Sequence, residues 1–222
     1  MNEQLLKQKL TDLGADLVGF SRLEESPIKG SDLVYAVTVA VKLPDAVLKT
    51  INERPTIEYF HEYRTANAIL DQIVFLGSRI IEKLGYEAFP VAASQSSIDR
   101  KDGYSGLYPH KTSARLSGLG FIGRNGLFIS TKYGSKVRLA TIYTNMPVTA
   151  EYPVIENGCK GCNACKNACP AGAITGNDFD PEKGREHIFN AEKCSKNMKT
   201  YQNVGRGAVC GICIKVCPYN KL

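Results

Sequence analysis

Cys159-Lys-Gly-Cys162-Asn-Ala-Cys165-Lys-Asn-Ala-Cys169-Pro170 decides how this chain of 222 residues is read. Cys-x2-Cys-x2-Cys-x3-Cys-Pro is the ligand run of a bacterial double [4Fe–4S] module, whose fourth cysteine serves the other cluster. Three thiolates in a tight loop reach three irons of one cube. The fourth lies one helical turn further on and points to a second cube, and Pro170 stops the chain from wrapping back. Gly161 and Ala164 are small enough to let backbone N–H groups approach sulfur.

A second run follows, Cys194-x15-Cys210-x2-Cys213-x3-Cys217-Pro218, with the same ending. The spacing predicts a crossed assignment. One cluster takes Cys159, Cys162, Cys165 and Cys217, and the other takes Cys169, Cys194, Cys210 and Cys213. Two alternatives stay open. Structural zinc needs four ligands per ion but has no use for matched Cys-Pro tails. A [3Fe–4S] second cluster would leave Cys194 idle, since its distance from Cys210 departs from a plain two-cluster ferredoxin. All 8 cysteines lie after residue 158, unlike a secreted disulfide scaffold. Residues 1–10 are polar and contain lysine, with no signal-peptide core, and no apolar run reaches the roughly 18 residues of a membrane span. A soluble, cytoplasmic chain without a membrane partner is expected.

Upstream of the cysteines the pattern is that of a packed domain; composition is ordinary, 43% hydrophobic and 23% charged. Leu5, Leu6, Leu10 and Leu13 fit one face of an opening helix ended by Gly14. Asp16 to Phe20 reads as a short strand. Leu33 to Leu43, LVYAVTVAVKL, reads as a strand buried on both faces and closed by Pro44. A long helix is predicted from Thr56 to Leu84, with Gly85 as its C′ residue. A strand over Tyr86 to Ala93, a polar loop over 94–108 and a short helix over Pro109 to Leu116 follow. After a Gly-rich turn, Gly118 to Gly126, Leu127–Thr131 and Val137–Thr144 read as a hairpin joined through 132–135. Residues 1–150 are therefore expected to form an α+β domain, and 151–222 a double-cluster domain.

Charge is uneven. The net is −3 over residues 1–98, +6 over 99–150 and +3 over 151–222. The basic middle suits either ordinary surface lysines or an anionic partner, such as tRNA, a phosphate-bearing cofactor or an acidic redox protein. Lys160, Lys166, Lys196 and Lys199 form either a docking face for an acidic redox-protein donor or a solvated face. Gly118, Gly120 and Gly123 spell G-x-G-x-x-G, but no strand precedes them and a hairpin follows, so the dinucleotide reading fails. They are either punctuation or a backbone surface that can lie against a large planar ring. His110 stands beside this turn, at a cap or surface position or as a proton donor.

Arg115-Leu-Ser-Gly-Leu-Gly-Phe-Ile-Gly-Arg-Asn125, then Leu127-Phe-Ile129, Tyr133-Gly134 and the first cysteine run continued to Gly-Ala-Ile174, resembles the epoxyqueuosine reductase family, relatives of the cobalamin-dependent reductive dehalogenases. The offset second cysteine run matches too. The resemblance implies an N-terminal mixed α/β sandwich of cobalamin-reductase/nitroreductase-like type, followed by a ferredoxin-like two-cluster domain that feeds cobalamin with electrons. It implies that Gly118, Gly120 and Gly123 line the corrin, with Arg124 and Asn125 as polar contacts. The family substrate is a modified base in tRNA, and two departures count against tRNA here. Family members continue into a helical domain beyond the clusters, whereas this sequence stops at Leu222. The family's Asp proton donor, fourteen residues before Gly118, falls on Tyr104, with Asp102 out of register. A short, divergent member is expected, with Tyr104 or Tyr108 and His110 as candidate catalytic groups. The expected function is an iron–sulfur oxidoreductase relaying single electrons to a cobalamin or small-molecule substrate site. The alternative is a non-catalytic ferredoxin-type carrier or a reductive activator of a corrinoid protein.

Overall fold

The computed structural model describes residues 3–95, 104, 106, 108–149, 152–156, 158–201, 204 and 209–221. Asp102 and much of the expected polar loop lie outside them. The chain divides into two compact units, each assembled from three segments. The first takes residues 1–42, 65–120 and 138–155, and the second takes 43–64, 121–137 and 156–222.

The first unit is built on a four-stranded sheet of order β1-β2-β6-β3. β1 (Leu17–Arg22) pairs antiparallel with β2 (Tyr35–Lys42), Val18 opposite Val39 and Phe20 opposite Val37. Residues 36–41 of β2 are all buried, as a β-branched apolar run predicts for a strand covered on both faces. β3 (Ala88–Val91) pairs antiparallel with β6 (Val137–Thr144) at the sheet edge. That position tolerates Pro90, which has no N–H to offer a further strand.

Val137–Thr144 is therefore not the second arm of the expected hairpin. The strand is buried along nearly its whole length and needs a partner on each side for its backbone groups. The short strand β5 (Phe128–Ser130) could not supply one, and pairs instead with β4 (Gly120–Ile122).

Helix α1 (Glu3–Asp12) buries only the i, i+4 pair Leu6 and Leu10; Leu5 and Leu13 are exposed, a narrower stripe than the sequence suggested. After the short α2 (Asp45–Thr50), α3 runs over Ile57–Glu82. The Thr56 hydroxyl accepts from the Tyr59 N–H at its start, and Gly85, at φ 87°, lies just beyond its end. Helix α4 is His110–Leu116.

Among the described residues, the second unit holds α2, β5, most of β4, the start of α3 and, in its cysteine region, three short helices. α5 (Ala164–Ala168) buries only Cys165, α6 (Ala191–Met198) buries nothing, and α7 (Ile212–Lys215) buries two isoleucines. Buried apolar side chains such as Leu48, Ile51, Phe128, Ile129 and Ile188 pack this unit, and polar ties add to them. The Lys136 ammonium, almost fully enclosed, donates to Asp45 Oδ1 at 2.6 Å and to the Asn220 carbonyl at 2.7 Å. The Asn220 side chain accepts from Ser135 N at 2.8 Å and donates to the Ile214 carbonyl at 2.5 Å. Lys215 Nζ donates to the Ile51 carbonyl at 2.9 Å, joining α7 to the segment after α2. No described helix is long and apolar enough to cross a membrane.

Candidate iron–sulfur site

A cavity of about 250 Å³ opens in the second unit, lined by Cys159, Cys162, Cys165 and Cys217, with Arg124 and Asn125 among its other walls. The first three thiols come from one loop. Lys160 at φ 44° and Gly161 at φ 82° turn the chain so that Cys162 N donates to the Cys159 carbonyl at 2.9 Å. Cys165 follows in the first turn of α5. Cys217 arrives from the far end of the sequence. Its N–H donates to the Ile214 carbonyl at 3.0 Å, and Pro218 then opens a 3-10 turn over Pro218–Asn220. Within that turn Tyr219 Oη donates to the Gly158 carbonyl at 2.6 Å, and its ring meets Phe121 edge-on at 5.3 Å. Asn220 is locked by Ser135 and Lys136. Cys217 is thus stitched to the residue beside Cys159.

The other four thiols influence one another electrostatically, and Cys213 also feels Cys165. Cys194, on α6, has its pKa pushed up to about 11, first by burial and then by Cys210 and Cys169. Burial raises Cys213 strongly, with Cys210 and Cys194 next in order. Cys210 is raised by burial too, with Cys169 among its unfavourable neighbours, and receives a hydrogen bond from the Tyr201 hydroxyl. In the first set, burial followed by Cys159 and Cys217 pushes Cys165 up to about 11.

Among the described residues no three Cys, His, Asp or Glu side chains close on a single ion. Four thiols instead surround a cavity, the donor set that a cube with separate irons takes. The residues fit that group. Because burial holds several of these thiols protonated, loading must displace protons and is favoured by higher pH.

The remaining candidates separate. Gly123, Arg124 and Asn125 belong to the second unit, whereas Tyr104, His110, Gly118 and Gly120 belong to the first. A Cβ on Gly118 would stand 2.9 Å from Tyr152 Cβ, and one on Gly123 would collide with Ile129. On those sides the turn is filled by the protein's own side chains. Arg124 makes a two-point ion pair with Asp178, at 2.6 and 3.0 Å. Asn125 is buried and accepts from Leu127 N at 3.1 Å.

His110 is partly buried rather than exposed. Nδ1 lies 2.9 Å from Thr141 Oγ1, and Nε2 lies 2.9 Å from the Ala92 carbonyl and 2.8 Å from Gln95 Nε2. Burial is the largest influence on the ring and lowers its pKa to about 4, so it is neutral near pH 7. It ties α4 to β6 and to the chain after β3. Tyr104 is exposed. Tyr108 packs its ring against Phe89 and Tyr143. Lys160 joins the cavity wall, and Lys196 pairs with Glu192 at 2.8 Å.

Sequence reasoning missed Asp178, Tyr219, Asn220 and Tyr201. No motif marks Asp178, which lies in a loop. Tyr219 and Asn220 carried a faint signal, since they directly follow the last Cys-Pro.

Residues 158–220 match the 4Fe–4S double cluster binding domain family. The chain is 36% identical over 122 residues to epoxyqueuosine reductase of Lactococcus garvieae, covering 49% of this chain and 31% of that protein. It is 31% identical over 122 residues to tetrachloroethene reductive dehalogenase of Desulfitobacterium hafniense, covering 48% of this chain and 21% of the other. A solved reductive dehalogenase, described as suggesting a mechanism for B12-dependent dehalogenation, shares the fold with a TM-score of 0.75 and 20% identity, over 97% of this chain and 31% of that one. The chain thus spans less than a third of the length of each of these relatives. It is similar over part of its length to epoxyqueuosine reductases and reductive dehalogenases, has a mixed α/β fold, and carries a 4Fe–4S double cluster binding domain over residues 158–220.

Proposed function

We propose that the chain is an iron–sulfur oxidoreductase in which two [4Fe–4S] clusters pass single electrons toward an acceptor site within residues 1–150. The observation that carries this reading is the convergence of Cys159, Cys162 and Cys165 with the distant Cys217 on one cavity. Cys169, Cys194, Cys210 and Cys213 would hold the second cluster. Bound clusters supply reversible one-electron storage. The chain's own part is to hold four thiolates apart by fixed loops, to shield them partly from water, and to set the charge around them. A one-electron redox protein would be the donor.

Cobalamin as the acceptor rests on relatives, one of which is described as B12-dependent. Within the 118–126 turn, Tyr152 stands against Gly118, Ile129 against Gly123, and Asp178 holds Arg124. The test is anaerobic titration of the iron-loaded protein with cobalamin, read in the visible spectrum. A saturable shift at one equivalent supports the cobalamin reading. No shift, with the iron chromophore still reducible, leaves a reductase with another acceptor.

A further inference from the structure

We propose that the Arg124–Asp178 pair sets the reduction potential of the cluster held by Cys159, Cys162, Cys165 and Cys217. This inference rests on the two-cluster reading above and goes beyond it.

Arg124 lines the thiol cavity with only 12% of its side chain exposed. Nε and one terminal nitrogen engage both Asp178 oxygens, at 2.6 and 3.0 Å. The other terminal nitrogen reaches Asn163 Oδ1 at 3.2 Å and the Cys162 carbonyl at 3.4 Å. A planar guanidinium held by this many acceptors has a fixed orientation, and its charge is permanent. It interacts electrostatically with Cys159 and Cys162, while Asp178 is more exposed and outside the residues that line the cavity.

Reduction adds one electron, and one negative charge, to a site that already carries four thiolates; no bond forms or breaks and no proton is required. A nearby fixed cation stabilises the reduced state and raises the potential. Asp178 opposes that effect in part while holding the guanidinium in place. The two partners therefore act with opposite signs, which mere scaffolding would not produce. The polar neighbour at Cys210 in the other thiol set is the neutral Tyr201 hydroxyl, so the two clusters stand in different fields.

The experiment is an anaerobic potentiometric titration of the full chain, followed by electron paramagnetic resonance, on the parent protein and three variants, with iron content measured for each. Arg124→Gln is expected to lower one cluster's midpoint by a tenfold change in its reduction equilibrium, 59 mV for one electron. Asp178→Asn is expected to raise the same midpoint. Arg124→Lys should lie between Arg124→Gln and the parent, and the other cluster's midpoint should stay put in all three. Should Arg124→Gln fail to load iron, the lysine and Asp178→Asn variants still give the two signs. Unchanged midpoints in fully loaded variants, or Arg124→Gln and Asp178→Asn shifting the same way, would overturn the proposal. A parent protein with too little iron for two clusters would instead remove the reading on which it rests.

Discussion

The two units are held together by different physics. In the first, a strand is buried along residues 36–41, helical residues such as Leu70 and Ile73 are buried, and Leu33, Ala36, Val91 and Tyr143 pack as one apolar cluster. In the second, α6 buries nothing and α5 buries only a cysteine, while the thiols surround an open cavity. The first unit is packed by its own apolar side chains. The second buries apolar side chains too, Leu48, Phe128 and Ile129 among them, but its cysteine loops also supply ligands, and the packing there is completed by what the thiols bind.

The largest effect that would break this contrast comes from removing iron. Stripping the clusters with a chelator should abolish amide protection through residues 158–221 and leave β2 and β6 protected in hydrogen exchange. Retention of protection around the cysteines would mean that the second unit folds by itself.

A smaller effect, confined to the first unit, should follow from Leu70→Ala. Leu70 is fully buried, and such truncations cost about 2–5 kcal/mol. Denaturant unfolding should show this loss with iron content unchanged.

His110 tests the same unit by pH. Its folded pKa, about 4, lies below the ordinary 6.5, so the folded state prefers the neutral ring. The stability it contributes is fully present above pH 6.5 and is lost as pH falls toward 4. It amounts to at most about 3 kcal/mol across that window. His110→Gln should flatten this part of the stability–pH curve.

The smallest effect is expected at the polar ties. Asn220→Ala leaves Ser135 and the Ile214 carbonyl without their partner and should cost about 1–3 kcal/mol. Iron should be lost first from the cluster that takes Cys217, because Asn220 anchors the turn directly after it.

The same contrast explains what the sequence reveals. β2 and α3 were legible because periodicity and β-branching are local, and Gly85 marked a helix end. The cysteine runs were legible because ligand spacing is local as well. β6 was misread as a hairpin arm because its partners are distant in sequence, and local pattern does not choose between them. Arg124 was read as a cofactor contact, yet its partner Asp178 stands 54 positions away in a loop without a motif. His110 could be judged only by the burial that Thr141, Ala92 and Gln95 impose.

The most direct test of crossed two-cluster ligation is to compare four single variants, Cys159→Ala, Cys217→Ala, Cys169→Ala and Cys213→Ala, by iron content and electron paramagnetic resonance after reduction. The account predicts that Cys159→Ala and Cys217→Ala lose or alter the same signal, and that Cys169→Ala and Cys213→Ala share the other. If Cys217→Ala instead matched Cys213→Ala, and Cys159→Ala matched Cys169→Ala, each run would hold its own cluster and the crossed arrangement would be wrong.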